Sequence, residues 1–261
     1  RLKRMFNDEY EVKNELYAGD ISFIGSMYNE KHNLYDRLCG VNDYTKGYLD
    51  AIMKVQRSIY GYFFLEDMLK GDVLDEMMQV CPVKPNEDGV ETVQYVYANY
   101  FLARRMATDE RTDILSRVGR ELGRENKINL YTPDASVRFI NVNNKGTVDY
   151  YNEMPYVFRN SRINLNITLR SIKSGIPLRC MDICGAGGFL LSNYQADLYD
   201  VFVPGEDMVI YDSIDDLMNK CKYYLSHDAE RRQIAQNGFG KIEEKHTYDV
   251  RFEEIFNRVF N

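Results

Sequence analysis

The chain has 261 residues, 44% hydrophobic and 28% charged, enough for one large domain or two small ones around a substantial core. Its net charge of −7 argues against a general nucleic-acid binder, which needs a basic face, but leaves room for a local basic pocket for one diphosphate. No apolar run reaches the ~18 residues of a membrane span, and the charged start Arg1–Asp8 lacks a signal peptide's apolar segment. The five cysteines, Cys39, Cys81, Cys180, Cys184 and Cys221, contain no CxxC pair, so reduced thiols in a cytoplasmic protein are expected rather than a disulfide framework.

In chain order, Arg1–Leu16 shows charged helical periodicity without a cap. Asp20–Met27 reads as a buried strand ending in a Gly25-Ser26 turn, with a helix expected over Glu30–Leu38. From Tyr44 to Gly123 the pattern is helical throughout, broken at Pro82 and Pro85, with further helical blocks over Val90–Met106 and Thr112–Leu122. After Gly123 the texture changes to strands at Lys127–Thr132, Val137–Val142, Ile163–Thr168, Phe189–Ser192 and Val209–Tyr211. Helices are expected between and after them, at Tyr150–Asn160, Pro177–Cys184, Ser213–Leu225, Asp228–Gly238 and Tyr248–Phe260. Alternating strands and helices indicate an α/β fold with a parallel sheet, and such sheets bind ligands outside the carboxyl ends of their strands. Domain boundaries follow: a helical remnant at 1–16, a sheet domain from 17–43 and 124–261, and a large helical insertion at 44–123.

The richest segment for chemistry is Asn164–Asn193. Its polar loop, Thr168–Gly175, carries Arg170 and Lys173, and Pro177 then opens a helix whose free N–H groups suit an anion. Arg179 and Asp182, three apart, share one helix face. Cations here suit a diphosphate, and a carboxylate suits the two hydroxyls of a ribose. Equally, Arg179 and Asp182 fit a weak surface ion pair, and Gly185, Gly187 and Gly188 fit a tight helix-to-strand turn. The glycine cluster is neither a P-loop nor a dinucleotide fingerprint, because no Lys-Ser/Thr follows it and it comes after a helix. His32, His227 and His246 have no metal-ligand spacing, and Asp215-Asp216 fit first-turn charges. Tyr95, Tyr97, Tyr100 and Phe101 fit either a sugar-stacking platform or a buried helix face.

The segment resembles the donor-binding signature of group 1 glycosyltransferases, and more closely the bacterial CgeB-like, spore-maturation-type branch. The resemblance rests on Gly175-Ile-Pro177, Arg179, Asp182, Gly187-Gly188 and the apolar Phe189–Leu191. It extends to Ile21–Tyr28, Gly146–Asn160, Asn237-Gly238, His246–Tyr248 and Arg251, so it covers about 17–39 and 124–258. It implies the C-terminal, Rossmann-like half of a GT-B fold, with 44–123 outside the general family pattern. Many retaining members carry two glutamates eight positions apart. Asp182 matches the second, which binds the ribose, whereas Ser174 stands where the first would be.

The resemblance further implies transfer of a sugar, hexosyltransferase-like, from a nucleotide-diphosphate donor (a UDP- or GDP-sugar) to a glycan, cell-envelope or protein acceptor. It implies no required cofactor or metal, and an N-terminal partner domain without which this piece is inactive. The expected donor-binding residues are Gly25, Ser26, Tyr131, Thr132, Thr168, Arg170, Lys173, Ser174, Arg179, Asp182, Gly187 and Gly188. The competing reading is a non-catalytic nucleotide- or sugar-binding or assembly module.

Overall fold

Gly19–Ile24 forms strand β1, whose residues are buried at all but one position, as a strand covered on both faces requires. The computed structural model, which describes residues 14–29, 33–85, 89 and 91–260, places β1 inside a six-stranded sheet. The other strands are β2 (Ile128–Tyr131), β3 (Val142–Asn144), β4 (Ser161–Asn166), β5 (Leu190–Asn193) and β6 (Val209–Tyr211). They run in the order β3-β2-β1-β4-β5-β6, all neighbours parallel, with Ile21 in register with Ile128 on one side and Ile163 on the other. This is the doubly wound α/β order, and the strand sequence reverses between β1 and β4.

The residues divide into two compact units. The first takes the described residues up to Gly25, then Ser116–Ile167 and those from Gly175 onward; it holds the whole sheet. The second takes the described residues of Ser26–Leu115 together with Thr168–Ser174. Its helices are α1 (Asp43–Arg57), α2 (Leu65–Met68), α3 (Gly71–Val80), α4 (Val93–Val96) and the start of α5 (Ala103–Leu122), with a π-helical stretch, Tyr97–Leu102, joining α4 to α5. Asn42 caps α1 by accepting from the Thr45 N–H at 2.8 Å. The second unit's core gathers Leu49, Leu65, Met77, Tyr97, Phe101 and Met106. Tyr97 and Phe101 are therefore core, their rings edge-to-face at 5.0 Å.

In the first unit, α6 (Met154–Asn160) and α7 (Leu178–Gly185) bring Val157, Phe158, Cys180, Ile183 and Cys184 into one cluster with Ile24, Tyr131 and Leu190. α8 (Ile214–Ser226) packs on β4 and β6, with Tyr224 against Phe189 at 4.8 Å. α9 (Asp228–Lys245) packs on α7, and α10 (Tyr248–Phe260) follows it.

Several expectations from the sequence are corrected. Val137–Ile140 is not a strand: the sheet strand begins at Val142, after Asn141 turns the chain at φ 56°, and Ile140 is exposed. Local alternation there lacked a partner strand to pair with. The charged stretch Asp109–Arg111, between the expected helical blocks Val90–Met106 and Thr112–Leu122, lies inside one continuous helix, with Glu110 and Arg111 buried. α6 starts four residues late, with Pro155 in its first turn. α9 continues through Gly238, where a Cβ would come within 2.4 Å of the Asp207 carbonyl oxygen; that glycine permits a close approach and does not stop the helix. Leu34–Leu38 is a 3₁₀ helix capped by Asn33, while Glu30–His32 and Arg1–Lys13 lie outside the described residues.

Candidate functional site

The carboxyl ends of the strands are where an open α/β sheet offers backbone groups to a ligand. In the first unit these ends carry Gly25, Tyr131 and Thr132, with the Gly25 N–H donating to the Tyr131 carbonyl at 3.0 Å. The Thr132 hydroxyl is buried there without a hydrogen-bond partner, a condition with a real cost in a folded interior. The Tyr131 phenol is pushed up to about 12 by burial and then by the Glu153 charge, so it is a neutral donor at physiological pH.

Beyond β4 the chain re-enters the first unit at Gly175, whose N–H donates to the Asp197 carboxylate. Pro177 occupies the N-cap of α7, not its first helical position, and supplies no side-chain cap. One and a half turns on, Asp182 Oδ1 accepts from the Tyr150 hydroxyl at 2.8 Å. Arg179 Nη1 lies 3.7 Å from Asp182 Oδ2, a loose pair on the same helix face. The Arg179 guanidinium also stands 5.4 Å from the centre of the Phe158 ring and contacts the Met154 sulfur.

Burial raises the Asp182 carboxyl above its ordinary range, against the lowering effects of Tyr150 and Arg179; burial likewise lowers Arg179. Desolvation thus outweighs mutual attraction for both partners. Tyr150 is raised to about 12, by burial first and then by its bond to Asp182. Tyr150 and Asp182 line a cavity of about 580 Å³ whose walls include Tyr151, Phe158, Met181 and Tyr248. An apolar cavity of this size with one convergent carboxylate, one phenol and a nearby cation suits a flat heterocycle joined to a polyhydroxylated ring.

The other expected residues separate. Ser26, Thr168, Arg170, Lys173 and Ser174 belong to the second unit. There Arg170 pairs with Glu110 at 2.6 Å, both side chains only 4% exposed, and donates to the Arg57 carbonyl at 3.0 Å. Its guanidinium stacks 3.2 Å from the centre of the Tyr60 ring. Lys173 pairs with Glu66 at 2.8 Å. Gly187 and Gly188 sit at the amino end of β5, the opposite edge of the sheet from Gly25 and Tyr131. A Cβ at Gly188 would lie 2.7 Å from the Phe158 carbonyl oxygen, so this glycine lets a helix end meet a strand start.

One site member, and the partner of one expected residue, escaped sequence reasoning. Tyr150 lies 32 positions from Asp182, and only the fold joins them. Glu110 sits in a polar run whose burial nothing local announces. Other groups singled out in the sequence have partners or packing within the fold. Cys180, Cys184 and Cys221 are buried with thiols pushed up by desolvation, and Asp215 and Asp216 pair with Arg117 and Lys220. His227 stacks on Tyr223 at 3.8 Å. His32 lies outside the described residues. Among the described residues no group of three His, Cys, Asp or Glu is placed to hold a metal ion, and no helix is long and apolar enough to cross a membrane.

Residues 104–257 match the family described as glycosyl transferase-like. No curated protein matches the chain. Among solved structures the chain is similar to the crystal structure of TarM, with 16% identity and a TM-score of 0.45 over 56% of this chain and 32% of that one, so it spans about a third of that protein's length. The family match takes in the sheet from β2 to β6, α7 with Arg179 and Asp182, and the helices that follow, more than half of the chain. The chain belongs to the glycosyl transferase-like family.

Proposed function

We propose that this chain is the donor-binding half of a GT-B glycosyltransferase of the CgeB-like branch, holding a nucleoside-diphosphate sugar for transfer to a glycan, cell-envelope or protein acceptor. The observation that carries the reading is the Tyr150–Asp182–Arg179 group at an apolar cavity, within the family's matched region. In this reading Asp182 takes the ribose hydroxyls, as a carboxylate with one oxygen held by a phenol and the other loosely paired can do. Tyr150 and Tyr151 flank the base, and Arg179 meets the diphosphate, drawing charge from the leaving group. Gly25, Tyr131 and Thr132 border the donor at the strand ends. No metal or cofactor is invoked, the hexosyl group comes from a UDP- or GDP-sugar, and turnover requires an N-terminal partner domain. The protein works in the cytoplasm.

Calorimetry of the folded chain with UDP, GDP, CDP and dTDP tests this. Saturable binding of UDP or GDP is expected, weakened at least tenfold, about 1.4 kcal/mol, by Asp182→Asn. A folded sample that gives no heat with any of the four overturns the reading. A second reading, a non-catalytic binding module, draws on Arg170 and Lys173, each already committed to a carboxylate. Nucleotide binding without donor hydrolysis, in a protein carrying its partner domain, would favour that module.

A further inference from the structure

At the amino edge of the sheet lies a second cavity, of about 600 Å³, and its walls are arginine-rich. Arg159 comes from the last turn of α6, Arg162 from the start of β4, and Arg231 and Arg232 from the fourth and fifth positions of α9. Gly187 and Phe239 supply part of the apolar lining. The Arg159 guanidinium lies over Gly187, 3.3 Å from where a Cβ would stand.

Three of these arginines share one carboxylate. Asp228 pairs with Arg231, with Arg232 at 2.7 Å, and reaches Arg162 at 3.9 Å. Asp20, 3.2 Å from Arg162, is the second carboxylate of the group. Three guanidinium groups thus gather around these two carboxylates, and Arg159 stands beside them on the same cavity wall. Arg231 is the buried member, its side chain 9% exposed. It donates to the Arg162 carbonyl at 2.9 Å and to Asp228, yet its Nε is buried with no partner.

The positive end of an 18-residue helix, α9, favours anions; its first turn carries Asp228 and Glu230, and Arg231 and Arg232, its fourth and fifth residues, line the cavity. His227 at the N-cap makes no side-chain cap bond. Asp228 is held below the usual carboxylate range by its bond to Arg231. Planar guanidinium groups converging from three elements match the oxygens of a phosphoryl group, which accepts paired N–H donors.

We propose that this amino-edge cavity is a phosphate-recognition site, separate from the Asp182 cavity, that binds a pyrophosphate or phosphomonoester dianion between Arg159, Arg162 and Arg232, with Arg231 bracing the wall. The occupant ties the start of α9 to the start of β4, two elements otherwise linked here through Arg162 and Arg231.

The test titrates the full chain at low ionic strength with pyrophosphate, inorganic phosphate, glycerol 3-phosphate and sulfate. Pyrophosphate binding should saturate and weaken as salt is raised. Binding of glycerol 3-phosphate in preference to inorganic phosphate identifies a phosphoester as the occupant, and the reverse order identifies the free anion. Arg159→Gln and Arg232→Gln change exposed side chains, so the fold is retained; together they should reduce pyrophosphate affinity at least tenfold, while Arg232→Lys gives an intermediate loss. The proposal is overturned if pyrophosphate fails to saturate, if sulfate binds equally well, or if the Arg159→Gln/Arg232→Gln protein retains full affinity.

Discussion

Two arginine–carboxylate pairs, one in each unit, use the same chemistry to opposite ends. In the second unit Arg170 and Glu110 are closed at 2.6 Å, shut away from solvent, and backed by the Tyr60 ring and the Arg57 carbonyl. In the first unit Arg179 and Asp182 stand 3.7 Å apart, half-buried, with the carboxylate held by Tyr150 at the wall of a cavity. A closed pair has spent its charge on the fold. An open pair in a partly desolvated place keeps charge that a ligand can complete, and the raised Asp182 carboxyl records that incomplete compensation.

The sharpest way to break this contrast is to remove one member of the closed pair. Arg170→Met leaves the Glu110 carboxylate buried and unpaired, and urea unfolding should show a loss of about 3–5 kcal/mol. Arg170→Met/Glu110→Leu should recover most of it, because Arg170 already carries Nε and Nη1 without partners and an apolar pair has none to satisfy. The open pair should respond far less. Tyr150→Phe removes one hydrogen bond to Asp182 at an exposed site and should cost about 0.5–1 kcal/mol, with nucleotide affinity falling by more than stability does.

The smallest stability effect should come from Asp182→Asn, and its sign depends on pH. A carboxyl whose folded pKa is raised binds more protons in the folded state than in the unfolded one, so stability falls as pH rises from the unfolded value, about 3.9, through the raised folded value. The asparagine variant lacks that loss. Thermal melts between pH 3.5 and 7.5 should show the unaltered chain declining relative to the variant across this interval, and the two running parallel above it. A widening advantage for the unaltered chain would mean that Tyr150 and Arg179 more than repay the burial of Asp182.

Much of the sheet was legible before the fold was known. Ile21, Ile163 and Val209 lie in runs whose apolar density and period mark strands buried on both faces, and Ser213 announces α8 by its capping side chain. The failures have a common form. Val137–Ile140 alternates like a strand, but pairing is decided by a partner elsewhere in the chain, and the sheet begins only after Asn141 turns. Glu110 and Arg111 are buried, and the sequence does not announce it, because a charged side chain carries no local mark of burial. Gly187 and Gly188 read as part of one cluster with Asp182, yet the direction of α7 carries them to the far edge of the sheet.

By itself, then, the sequence determined the parallel α/β character, the helical texture of 44–123 and the presence of α7, since periodicity, capping and turn residues act over a few positions. Tertiary structure decided which charges are spent and which are kept. Arg170 met Glu110 across 60 positions, Asp182 met Tyr150 across 32, and Arg162 met Asp20 across 142. Whether an ion pair is architecture or a binding group depends on burial and on its third neighbour, and both arise only when distant segments are brought together.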